Sequence, residues 1–205
     1  MKEELPIFAD ESGLARILLF TDAVLAIAIT LLVLDLKVPE VASGLGRSLR
    51  ALWPSYLSYL LSFFIIGNYW MSHHRLFRPI VRYDDRLMLL SLLFLFFIAL
   101  LPFSTKLIAL HPVSRTAVIV YSLNILPLGL ITYALTRHAY VGNRLIDPSR
   151  GPADVRRQLD FMRRGMAVFL VCLTVSVVFP PAFLPVWFLG FLSRSLGRRI
   201  WKVYN

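Results

Sequence analysis

The stretch "RILLFTDAVLAIAITLLVLDLKVPE", residues 16–40, sets Arg16 and Asp22 at the entrance of an apolar run. From Ala23 to Val33 there is no charge, and with the mostly apolar residues before it the block reaches about the 20 residues that a helix needs to cross a bilayer core. A helix is predicted over residues 14–35. Charge at the entrance of such a helix is costly unless it meets a partner, so both residues need an account.

The rest of the chain follows this stretch. Of its 205 residues, 58% are hydrophobic and only 17% are charged, against about 25% charged in soluble domains. Five further apolar blocks lie at 51–72, 87–109, 114–136, 165–182 and 184–201. The expected fold is all-α: one polytopic membrane domain over residues 1–205 with six transmembrane helices. Pro180, Pro181 and Pro185 crowd the gap between the last two spans, and Arg194, Arg198 and Arg199 enter the final one.

A formal net charge of +10 invites a nucleic-acid reading, but its placement decides otherwise. On six spans, the N-terminus, the 73–86 loop, the 137–164 loop and the C-terminal tail share one side. They hold 17 of the 22 Lys and Arg. The five on the other side are Lys37, Arg47, Arg50, Lys106 and Arg115. The positive-inside rule then places both termini in the cytoplasm. Basicity here reports topology and contact with membrane lipids, and no nucleic-acid partner is expected. "MKEELPIFADES" lacks the basic n-region of a cleavable signal, so the first span is expected to be retained. Cys172 has no second cysteine with which to form an internal disulfide.

Little in the sequence points to catalysis. His73-His74 is the only histidine cluster, His111 and His138 are assigned to separate loops, and there is no cysteine pair to complete a metal site. Asp84-Asp85, flanked by Arg82 and Arg86, reads as a solvated turn with local ion pairs. No phosphate loop, nucleophile elbow or dinucleotide fingerprint occurs. No enzyme activity and no cofactor are expected. The polar stretch near 137–164 reads as a solvated connector, with Asp154 capping a short basic helix that leads into the fifth span. A Thr-Val-Gly-Tyr-Gly carbonyl filter is missing too, so any ion selection would fall to side chains.

On a helical wheel, Ile27, Leu31 and Leu34 lie within about 60° of one another. Arg16, Phe20, Ala23 and Thr30 fall on the same stripe, whereas Thr21 and Asp22 point elsewhere. Asp22 therefore needs donors from another helix. The second span ends on the same side with "NYWMSHHR", which offers Asn68, Trp70, His73, His74 and Arg75. A clamp between the first two spans is the expected arrangement. The alternative is that Asp22 only complements the dipole at the start of its own helix.

Arg16-Ile17-Leu18-Leu19-Phe20-Thr21-Asp22 resembles the Arg-x-x-x-Phe-Ser-Asp signature of the lysosomal potassium channel family (transmembrane protein 175). The "YLLSFFIIGNYWMSHHRLFR" of residues 59–78 and the "LLPFSTKLI" of residues 100–108 are similar to its bacterial branch. The resemblance implies a potassium-permeable channel in a prokaryotic cytoplasmic membrane. One signature copy per chain implies a homotetramer, with the pore lined by the first span. It implies a constriction at Ile27, Leu31 and Leu34, and a part in potassium preference for Thr30. Arg16, Phe20, Thr21 and Asp22 would form an interhelical network with Trp70 and His73. Thr21 replaces the signature serine, Ser91 stands where an asparagine is frequent, and Ala26 replaces a hydroxyl found in some members. The rival readings are a secondary transporter using Asp22 and His73 as a proton relay, and a non-conducting membrane scaffold.

Overall fold

The computed structural model describes residues 7–8, 11–40, 44–141, 145–147, 149 and 152–190. Helix α1 spans Glu11–Leu34. It ends where Asp35 and Lys37 restore polar character and Pro39 bars further helix. The next expected span, 51–72, falls on one long helix, with a short additional helix just before it. Gly44, with a φ of 79° that glycine tolerates at least cost, precedes the short helix α2, Leu45–Ala51. Helix α3, Trp53–Phe77, follows with Pro54 in its first turn, a position where the missing N–H is not needed. The axis bends by 51° between α2 and α3.

Helices α4 (Asp85–Leu110) and α5 (Arg115–Tyr140) match the third and fourth expected spans, each a few residues longer at its basic end. The fifth differs more. Helix α6 begins at Pro152 and runs unbroken to Val178, so the short basic helix expected at the end of the 137–164 connector is continuous with the apolar half. Asp154, expected as its cap, lies inside the helix, because Pro152 is well suited to the first position. A 3-10 turn at Pro180–Ala182 and a helical stretch over 183–190 follow. Residues 191–201 of the sixth expected span lie outside the described residues. By length and apolarity, three described helices can cross a membrane (α1, α4 and α5), or four with α2–α3 as one bent span.

Helix α4 is central, packing on α1, α3 and α5, and α6 packs on α5. Apolar burial contributes little between helices surrounded by lipid, so close packing and polar contacts carry more of the association. A polar seam supplies such contacts. Thr105 Oγ1 donates to Ser62 Oγ at 2.7 Å, and Ser62 is hydrogen-bonded to the Tyr121 hydroxyl at 2.9 Å. Nearby in sequence, Asn124 Nδ2 donates to Ser104 Oγ at 2.9 Å. The seam thus ties α3, α4 and α5 together.

At one end of the bundle, strand β1 (Ile7–Phe8) pairs antiparallel with β2 (Tyr83–Asp84). Val81 N donates to Leu145 O, and Asp147 N to Pro79 O, both at 2.9 Å. The N-terminal segment, the α3–α4 connector and the α5–α6 connector therefore meet at one end. Leu76, Phe77, Leu87, Leu135 and Met162 form a second apolar core beneath them. Gly13 serves this junction, since a Cβ there would run into the Tyr83 phenol.

Candidate functional site

Helix α1 has two contrasting sides. Thr21, Leu25, Ala28 and Leu32 are all buried against the bundle, about 100–160° around the wheel from Ile27. The opposite stripe is uncovered: Ile27 is 58% exposed, Leu31 44% and Leu34 75%. Phe20 and Thr30 are exposed on the same side. No glycine or proline interrupts residues 14–34, so the stripe is carried on a continuous rod. Thr30 Oγ1 donates to its own helix, at 3.0 Å from Ala26 O and 2.9 Å from Ile27 O. With its proton directed at the backbone, the oxygen keeps lone pairs for an outside ligand.

The partner of Asp22 is Trp70, whose Nε1–H donates to Asp22 Oδ1 at 2.9 Å and joins α1 to α3. The Trp70 ring lies 6.2 Å from that of His74. His73 is directed elsewhere. It is buried, stacked at 4.2 Å on Phe77 and at 5.6 Å on Phe94, and its Nε2 has no hydrogen-bond partner among the described residues. Ser91, one turn before Phe94, donates to Leu87 O of its own helix. Thr21 likewise donates to Ile17 O. Arg16 is exposed and enters none of the ion pairs formed among the described residues. The six network residues are therefore not one cluster: among them, the hydrogen bond that joins α1 to α3 is Asp22 with Trp70.

Asp22→Ala removes the acceptor of the Trp70 indole. A hydrogen bond to a charged group is worth about 1.5–3 kcal/mol, and the exposure of this pair reduces that to about 1 kcal/mol. Asp22→Ala and Trp70→Phe should each lower the melting temperature in detergent modestly, and their double variant by less than the sum. Additive losses would show that the pair does not couple the helices.

Two polar pairs escaped the sequence reading. Asp84 is not a solvated turn residue: it is 2% exposed, and its carboxylate accepts the Leu87 N–H at 2.8 Å as the cap of α4. His138, in the last turn of α5, places Nε2 at 2.9 and 2.8 Å from the two Asp84 oxygens. An ionised carboxylate only accepts, so Nε2 carries the proton. At the other end of α1, Lys106 Nζ of α4 lies 2.9 Å from Asp35 Oδ1. No group of three or more potential metal ligands occurs among the described residues.

Comparison with known proteins shows what this chain is similar to. A potassium channel from Chamaesiphon minutus is 36% identical over 185 residues, covering 87% of this chain and 88% of its own. The chain belongs to the TMEM175 family. The family model, described as the endosomal/lysosomal potassium channel TMEM175, matches residues 16–102. That interval starts at Arg16 and takes in the exposed stripe of α1, Asp22 and Trp70. A potassium channel from Streptomyces collinus is 42% identical over 145 residues, covering 68% of this chain and 69% of its own. The crystal structure of a lysosomal potassium-selective channel TMEM175 homologue from Chamaesiphon minutus superposes with a TM-score of 0.80. It is 34% identical, over 91% of this chain and 98% of that one. As a TMEM175 member, the chain is a multi-pass membrane protein of an ion-channel family and not an enzyme.

Proposed function

We propose that this protein is a potassium-permeable channel in which four copies surround a pore lined by α1. The observation that supports the reading best is the uncovered stripe of Ile27, Leu31 and Leu34 on an unbroken helix whose other side is packed. Four such stripes around an axis make stacked aliphatic rings that serve as a hydrophobic constriction in place of carbonyl ligands. The exposed Thr30 oxygen is the polar group on this stripe that would contact a partly dehydrated ion and favour potassium, with Asp22 and Trp70 holding α1 in position. The six-span count, both termini in the cytoplasm of a prokaryote and the single domain belong to the same proposal. The split of basic residues and the meeting of three segments at one end support them.

The carrier alternative draws less support. A proton relay needs Asp22 and His73 in contact, and here each has different neighbours. Half-helix breaks of the kind found in transporters are also missing from α1. Passive efflux from potassium-loaded liposomes tests the reading. It should run down the gradient without saturating and without a coupled ion, and a cysteine at Ser149 should label only from the cytoplasmic face. Saturable, proton-coupled flux would replace the channel with a carrier, and no flux would leave a scaffold.

A further inference from the structure

A second recess lies away from the α1 stripe. It is a partly open cleft of about 70 Å³ between α3, α5, α6 and the helical stretch 183–190, walled by Leu61, Ile65, Val168, Phe169 and Trp187 among others. That is space for several water-sized groups, and the walls are mainly apolar. One polar side chain is buried in it. Asn68 lines the cleft at 7% exposure, and its amide oxygen has no hydrogen-bond partner among the described residues.

The charge at its upper rim is basic. Arg164 stands one turn before Val168, on the same side of α6, and adjoins Gly165 of the cleft wall. Arg164 is exposed and enters no ion pair among the described residues, whereas its neighbour Arg163 lies 3.6 Å from Asp160. Gly165 shares the cleft with Asn68 and Tyr69. Arg164 is therefore near the depth of Trp70, where α3 passes from its apolar run to "NYWMSHHR". This is the interfacial level, where a phospholipid places its phosphate above its acyl chains.

We infer that this cleft binds an anionic phospholipid of the leaflet at the basic end, one acyl chain entering between α3 and α6 and the headgroup meeting Arg164. An acyl chain suits the narrow apolar walls. A negative headgroup suits an unneutralised guanidinium, which contributes about five-fold in affinity near a membrane surface. A hydroxyl of the lipid headgroup supplies the donor that the Asn68 amide oxygen lacks, which hydrocarbon alone would leave unsatisfied.

The probe is phosphatidylglycerol added to purified protein in detergent, against phosphatidylcholine and inorganic phosphate. Phosphatidylglycerol should raise the melting temperature most, phosphatidylcholine less, and inorganic phosphate not at all. Arg164→Gln should weaken the response to phosphatidylglycerol about five-fold without changing the lipid-free melt. Val168→Trp, which fills the cleft, should abolish the response to both lipids at unchanged oligomeric size. Native mass spectrometry of retained lipid on the parent and on Arg164→Gln gives an independent count if Val168→Trp does not fold. An unaltered response and lipid count in Arg164→Gln, or equal stabilisation by inorganic phosphate, overturns the site. A change of oligomeric size in Val168→Trp would instead assign the cleft to a second copy of the chain.

Discussion

Asp84→Ala should lower the melting temperature by about 10 °C, the largest loss of stability expected from any single polar substitution in this protein. Two connections meet at that carboxylate and a third at the residue's backbone. It caps α4 through the Leu87 N–H, it accepts from His138 of α5, and its residue pairs with Ile7 of β1. Loss of a helix cap costs about 0.5–2 kcal/mol, and leaving the largely buried His138 N–H without its acceptor costs about 1–3 kcal/mol. Part of this overlaps, since both contacts use the same group, so a total of about 3 kcal/mol is reasonable. At about 2–4 °C per kcal/mol for a chain of this size, the shift is readily seen in a detergent melt. Asp84→Asn keeps an acceptor for Leu87 and a neutral hydrogen bond to His138, and should recover about half of the loss. A melt of Asp84→Ala within a degree or two of the parent would show that the two helices are held at this end by their apolar core alone.

That same residue shows where reading the sequence stops. Arg82, Asp84, Asp85 and Arg86 together suggest a solvated turn, and charge counting favours it. The better signal was positional: an aspartate just before a long apolar run is a helix cap. Its second partner, His138, is 54 residues away, and no local pattern points to it. Helix α1 is the opposite case. Periodicity alone placed Ile27, Leu31 and Leu34 on one side and turned Thr21 and Asp22 off it, because the 3.6-residue repeat fixes relative direction. It could not say which side the bundle would cover. Donor chemistry narrowed the partner of Asp22 to five residues of one helix, and packing selected Trp70, because His73 gains more from stacking between Phe77 and Phe94. The short basic helix expected before the fifth span is present but joins it without a break, since polar residues sustain a helix as readily as apolar ones. What lies within one helix was legible, and what crosses between helices was mostly not.

Ile27→Asn should raise the resting potassium current. On the proposed reading, each of four subunits places Ile27, Leu31 and Leu34 at the axis, and an ion passing a ring of isoleucines loses water without receiving a full set of ligands. An asparagine at that position offers a carbonyl oxygen and an amide, holds water in the constriction and lowers the barrier. If the isoleucine ring contributes even about 1.4 kcal/mol to that barrier, its removal raises current about tenfold. Thr30→Ala provides the complement. It removes the exposed hydroxyl oxygen from the same stripe but leaves the aliphatic rings, so preference for potassium over sodium should fall while current persists. The two substitutions thus separate the barrier from the selection. Both side chains are exposed in the single subunit, so neither change disturbs the packed core, and an altered current would not be a folding defect. Single-channel recordings of both variants beside the parent give the answer. Unchanged conductance and ion preference in both would mean that the α1 stripe faces lipid or a neighbouring helix, and that any pore lies elsewhere in the bundle.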